Sequence, residues 1–208
     1  MRSVFIIILL LPLRLLGQNE QSTRLNNDAV ALMEEEAWSK ALPILDKLVD
    51  QFPEEVTYRN NRAVVLFNLG KYQLALNDYI VLSNAYPEAA EYLFQTGNSY
   101  EQLHRGDSAI KYYTAAIALA DDDYLYFFKR GTVFLKRKDL QKAVKDFDKA
   151  IELNPEHHNS FNNRGIARYM LGNKAEGCND WCTAAVMGNT ASREQLQKNC
   201  SPHPSRCK

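Results

Sequence analysis

The first 177 residues contain no cysteine, and neither charge sign dominates: 25 Lys+Arg stand against 25 Asp+Glu in 208 residues. A missing net charge argues against a dedicated nucleic-acid binder, which needs a basic surface to displace phosphate counterions. Nine glycines and seven prolines are too few for a collagen-like or linker protein. The chain has no P-loop, glycine-rich dinucleotide turn, His-Glu-x-x-His or elbow serine, so it is not expected to be an enzyme or to carry a cofactor. Its carboxylate runs, Glu34-Glu35-Glu36 and Asp121-Asp122-Asp123, read as solvated helix ends and turns. What it does have is 46% hydrophobic residues, enough for a globular core.

No apolar run reaches the roughly 20 residues that a membrane-spanning helix needs. The run Val4–Leu13 follows Arg2, meets Arg14, and passes through Leu15-Leu16-Gly17 into Gln18-Asn19-Glu20-Gln21. This is the pattern of a cleaved secretory signal peptide over residues 1–17, with Gly17 before the cut. The expected mature chain starts at Gln18, has no membrane span, and is exported, periplasmic or secreted. An uncleaved anchor or a buried terminal helix is the alternative.

The rest of the chain repeats every 34 residues, in frames 22–55, 56–89, 90–123, 124–157 and 158–188. The eighth position reads Ala29, Ala63, Gly97, Gly131, Gly165, and the twentieth reads Ala41, Ala75, Ala109, Ala143, Gly177. The twenty-fourth is bulky throughout: Leu45, Tyr79, Tyr113, Phe147, Trp181. The thirty-second holds Pro53, Pro87, Asp121, Pro155, Asn189. Each frame carries two stretches with apolar residues three and four apart, which predict two amphipathic helices. In the second frame these are Thr57–Leu69 and Gln73–Ala85. Gly70 and Gly172 supply left-handed turns between paired helices. Two small positions let paired backbones approach, and the bulky residue is expected to fill space against the neighbouring unit. Proline ends the second helix because it has no amide donor. No unit buries both faces alone, so stacking is obligatory.

With Arg130-Gly131, Arg164-Gly165 and Ala150-Ile151-Glu152-Leu153-Asn154-Pro155, this pattern resembles the tetratricopeptide-repeat (TPR) family over about residues 22–188. The resemblance implies an all-α, right-handed α-solenoid of helix-turn-helix units. Arg59 and Arg168 stand where apolar or aromatic residues are usual, and Asp121 replaces a proline. Pro43 fits if its helix begins near Ser39 or Lys40, because first-turn amides lack intrahelical partners. Asn189 or Thr190 is expected to cap a last short helix, Ala191–Asn199, within a capping segment 189–200. Residues 201–208 form a tail. His157-His158 reads as a solvated turn.

All four cysteines lie in the last 31 residues. If the fifth unit's second helix and the capping helix run antiparallel about Gly188, Cys178 and Cys200 sit side by side. In an oxidising compartment they form a disulfide, Cys178–Cys200. The stretch Gly177-Cys178-Asn179-Asp180-Trp181 through Cys200 also resembles the ending of exported bacterial TPR proteins. Cys182 either pairs with Cys207 or stays free. The alternatives are free thiols throughout, or zinc held by the cysteines and His203.

In the family the first helices line a concave groove, so the fifth, sixth, ninth and thirteenth positions are implied to face it. The sixth position reads Asn27, Asn61, Gln95, Lys129, Asn163, and the fifth Asn26, Asn60, Phe94, Phe128, Asn162. Asn98 occupies the ninth position of the third frame. Side-chain amides bond both donors and acceptors of an extended peptide. Phe94 and Phe128 either contact such a peptide or pack between repeats. The family's carboxylate clamp is rejected: of Asn26, Val30, Asn61, Glu91 and Gln95 at the matching positions, only Asn61 fits. The expected function is a non-catalytic scaffold binding a protein or peptide partner, with no nucleic acid. The alternative is a structural subunit that self-associates. Residues 18–123 carry 8 basic and 17 acidic side chains and residues 124–208 carry 15 and 8, a split that reads either as ordinary solvation or as head-to-tail association or a partner of split charge.

Overall fold

A computed structural model describes residues 10–200 and Cys207, and these contain eleven α-helices and no strand. The helices are α1 (Leu10–Glu34), α2 (Trp38–Gln51), α3 (Val56–Asn68), α4 (Tyr72–Ala85), α5 (Ala90–Gln102) and α6 (Gly106–Leu119). They continue with α7 (Tyr124–Lys136), α8 (Leu140–Leu153), α9 (His158–Met170), α10 (Lys174–Val186) and α11 (Thr190–Asn199). The second unit's two helices start one residue ahead of the expected starts. Residues 1–9 of the expected signal segment lie outside the described residues, while Leu10–Gly17 belongs to α1. The expected tail also lies outside them, Cys207 excepted. No helix among the described residues is long and apolar enough to cross a membrane.

The chain divides into two compact units, Met1–Leu82 and Ser83–Lys208. In the first, Ala29, Ala41, Leu45, Leu48, Val49, Tyr58 and Val65 form the core. In the second the core is a succession of local clusters. Phe94, Tyr113 and Tyr126 are followed by Ala143, Phe147 and Ala167, then by Trp181, Leu196 and Cys200. Within this unit each helix from α5 to α11 packs on the next. Nearest-neighbour burial of this kind is what a repeated sequence can encode, because each copy meets only its neighbours.

The glycine positions have a steric cause. A Cβ on Gly97 would lie 2.7 Å from the Tyr113 ring, and one on Gly131 would lie 3.0 Å from Phe147. The bulky residue, expected against the neighbouring unit, therefore first covers the small residue of its own unit. The following unit then closes over it, as Ala167 does over Phe147.

The turn between paired helices takes a left-handed residue in all five repeats: Glu36 (φ 55), Gly70 (φ 72), His104 (φ 57), Lys138 (φ 65) and Gly172 (φ 93). Only the two glycines were legible in the sequence. Pro43 departs from expectation, because α2 begins at Trp38 and the proline falls in its second turn. The helix tolerates it because Pro43 and Ser39, whose carbonyl loses its amide partner, are both solvent-exposed. At the other end Asn189 caps α11, its Oδ1 accepting from the Ser192 amide at 2.8 Å.

Two disulfides tie α10 to the segment after it. Cys178–Cys200 joins α10 to the residue ending α11, with Cα atoms 6.0 Å apart, and Cys182–Cys207 joins Cα atoms 5.3 Å apart. With all four sulfurs paired, no thiolate remains for zinc.

Candidate partner-binding face

Register fixes which way the first helices point. Gly97, Gly131 and Gly165 face the second helix of their own unit. Gln95, Lys129 and Asn163 lie two residues earlier, about 200° around the helix. Their side chains therefore leave α5, α7 and α9 on the side away from α6, α8 and α10. In the second unit, α7 packs on both α5 and α9, so the three positions follow one another on neighbouring helices.

These side chains are half-buried, and two have one acceptor engaged. Asn98 Nδ2 donates to Gln95 Oε1 at 3.0 Å, and Asn162 Nδ2 donates to Asn163 Oδ1 at 3.0 Å. Asn98 itself is buried, and its Oδ1 lies 2.8 Å from the Tyr113 hydroxyl. That hydroxyl also lies 3.0 Å from Glu101 Oε2, while Lys136 Nζ donates to Glu101 Oε1 at 2.6 Å. Burial, reinforced by Glu101, pushes the Tyr113 pKa up, so its hydroxyl stays a donor. In the first unit Asn61 Nδ2 donates to Asn26 Oδ1 at 2.9 Å; Asn27 is exposed and Asn60 half-buried.

Three residues expected at the groove are committed elsewhere. Phe94 is buried against Tyr113 and Tyr126, with ring centroids 5.6 and 4.6 Å away. Phe128 packs on Phe147 and meets His157 edge-on at 4.6 Å. Asn162 is buried, and its Oδ1 accepts from Ser192 Oγ of the cap at 2.8 Å. Phe94 thus fastens its repeat to the next and Asn162 fastens the fifth repeat to the cap, while the rings that Phe128 meets lie in its own repeat. His157 and His158 are half-buried rather than solvated: His157 Nδ1 lies 2.8 Å from Ser160 Oγ, and His158 Nδ1 lies 3.0 Å from Asn189 Nδ2. Burial, helped by the charge of His158, lowers the His157 pKa.

An arginine clip, missed in the sequence, holds successive second helices. Arg62 grips Asp78 of its own repeat through Nε and Nη2, at 2.8 and 2.7 Å, and its Nη1 lies 3.5 Å from Asp46 of the preceding repeat. Arg130 grips Asp146 at 2.8 and 2.7 Å and reaches back to Thr114 Oγ1 at 3.1 Å. Arg164 grips Asp180 at 3.0 and 2.6 Å and reaches back to Asp148 at 2.7 Å. Bidentate charge-assisted pairing is the favourable geometry for so buried a carboxylate. The hydrogen bond and charge of Asp78 outweigh burial and raise the Arg62 pKa. Arg59 and Arg168, two of the departures from the repeat, join the clips: Arg59 lies 3.3 Å from Asp78, and Arg168 lies 3.0 Å from Asp180.

Tetratricopeptide-repeat family models match residues 28–80, 90–123 and 124–157. Hsc70-interacting protein 1 of Drosophila melanogaster is 32% identical over 116 residues, which are 56% of this chain and 30% of that protein. The E3 ubiquitin-protein ligase CHIP of Arabidopsis thaliana is 41% identical over 83 residues, 40% of this chain and 27% of that one. The chain thus spans less than a third of the length of these curated relatives. Among solved structures, MamA of Desulfovibrio magneticus matches with a TM-score of 0.75 at 17% identity, covering 84% of this chain and 96% of that one. YrrB, described as a TPR protein with an unusual peptide-binding site, matches with a TM-score of 0.73 at 19% identity, covering 89% and 96%. The chain belongs to the tetratricopeptide-repeat family and has the α-solenoid fold of a protein-interaction scaffold.

Proposed function

We propose that the chain is an exported, non-catalytic scaffold that binds an extended segment of a protein partner on its first-helix face. The observation that carries this is the sixth-position row. Gln95, Lys129 and Asn163 keep polar groups at the surface while the neighbouring fifth and seventh positions are spent on packing and clips. Relatives point the same way: one is named for interaction with Hsc70, and YrrB for a peptide-binding site. Export rests on the 1–17 segment and on two disulfides, which persist in oxidising compartments. The test is partner recovery with the full chain as bait, compared with Lys129→Glu and, separately, Asn163→Ala. Loss of the same bound protein supports the reading, and unchanged recovery removes it.

The opposite charges of residues 18–123 and 124–208 favour a second reading, self-association into an envelope or secreted assembly. Sedimentation at low and high salt separates the two: self-association of this kind weakens as salt screens the charges.

A further inference from the structure

We infer that the first-helix face of the second unit selects an acceptor-rich segment, an extended peptide carrying acidic side chains, with Lys129 as its anchor. This rests on the proposed binding face and names the chemistry of its occupant. Gln95 and Asn163 each have a carbonyl lone pair engaged by a neighbouring amide, through Asn98 and Asn162. Their own NH2 groups have no recorded partner among the described residues. Between them in the register stands Lys129, half-buried and with no carboxylate within ion-pair distance among the described residues. The neighbouring cations are already committed: Arg130 to Asp146, Arg164 to Asp180 and Lys136 to Glu101. The row therefore offers amide, ammonium and amide donors in succession on α5, α7 and α9. Each donor seeks an acceptor, and the central one also seeks negative charge. An extended segment supplies backbone carbonyls to the amides and a Glu or Asp side chain to Lys129. A basic segment would supply the same carbonyls but set like charge against Lys129.

The probe is a fluorescein-labelled peptide of alternating Glu and Ala with both ends capped, so that no terminal carboxylate is present. Its Gln-for-Glu counterpart and an uncapped Gln version with a free C-terminal carboxylate are run beside it. Fluorescence anisotropy with the full chain is expected to show the capped Glu peptide binding about tenfold tighter than the capped Gln peptide. Lys129→Met should remove that preference, Lys129→Arg should keep it, and added salt should reduce it. Equal binding of the capped Glu and Gln peptides overturns the inference, as does a preference that survives Lys129→Met. Binding of only the uncapped version overturns it too, because the site then reads a chain terminus. Equal binding that is lost on Gln95→Ala or Asn163→Ala sinks the acidic preference but leaves the peptide-binding face standing. No binding of any peptide, with partner recovery unchanged in the variants above, sinks both.

Discussion

Gly165 and Trp181 are fitted to each other: a Cβ added to the glycine would lie 2.7 Å from the indole. The indole is almost wholly buried, and its Nε1 donates to the Asn162 carbonyl at 3.1 Å. Because the large ring cannot retreat without losing that bond, the glycine cannot gain a side chain freely. Gly97 and Tyr113 repeat the relationship.

Gly165→Ala should therefore destabilise the protein by about 1–3 kcal/mol, the ordinary cost of overpacking a filled core. Urea unfolding measures it. A midpoint equal to wild type would show that the Trp181 ring moves aside without cost.

Asp180 is about 4% exposed and takes two hydrogen bonds from Arg164. Arg164→Ala should cost about 3–5 kcal/mol, because it strands much of a buried carboxylate's pairing. Arg168 at 3.0 Å softens the loss here, so Arg130→Ala, whose Asp146 has no second arginine recorded, is expected to cost more. Replacing both members of the Arg130–Asp146 pair by apolar residues should cost less than losing Arg130 alone. Comparing single and double variants by chemical denaturation decides it.

Lys138 holds φ 65 in the turn before α8 and is exposed. A left-handed L-residue costs roughly 1–2 kcal/mol, part of which glycine returns as unfolded-state entropy. Lys138→Gly should raise stability by about 0.5–1 kcal/mol, and Gly172→Ala should lower it by a similar amount. Thermal melts of both variants check the pair.

Burial lowers the His157 pKa below its usual 6.5. Between that value and the lower folded-state pKa the unfolded chain binds more protons, so stability falls as the pH drops through this window and is fully present above it. His157→Gln should flatten the dependence between about pH 7 and pH 5. A denaturation series across that range that is identical for both proteins would contradict the reading.

Non-reducing intact mass should be about 4 Da below that of the reduced chain, about 2 Da per bridge. Loss of Cys178–Cys200, which closes over 22 residues, should cost about 2–4 kcal/mol. Unchanged mass on reduction would remove both bridges.

Those bridges show how much the sequence could say. The 34-residue period placed the helices, because small and bulky positions recur with a steric cause in every copy. Antiparallel geometry about Gly188 placed Cys178 against Cys200, but Cys182 and Cys207 had no such constraint. The arginine clip left only a partial trace, opposite charges sixteen residues apart at Arg62/Asp78, Arg130/Asp146 and Arg164/Asp180. Thr96 and Tyr112 in the third repeat, and Asp28 and Ile44 in the first, interrupt that pattern and hid it. Glu36, His104 and Lys138 take left-handed turns because flanking helices impose them, a demand their side chains do not announce. Phe94 and Phe128 stayed ambiguous because an aromatic at a groove position and one between repeats carry the same sequence signal. For Phe94 its packing on Tyr126 of the next repeat separates the two.

Placing a photoreactive amino acid at Gln102 or at Met170, each two turns along the same helix face from Gln95 and Asn163, or at Lys145 on the exposed side of α8, tests the binding face most directly. Illumination of the full chain in its native setting should join the same partner at Gln102 and Met170 and leave Lys145 unreacted. Adducts at Lys145 alone, or equally at all three positions, would contradict a first-helix binding face.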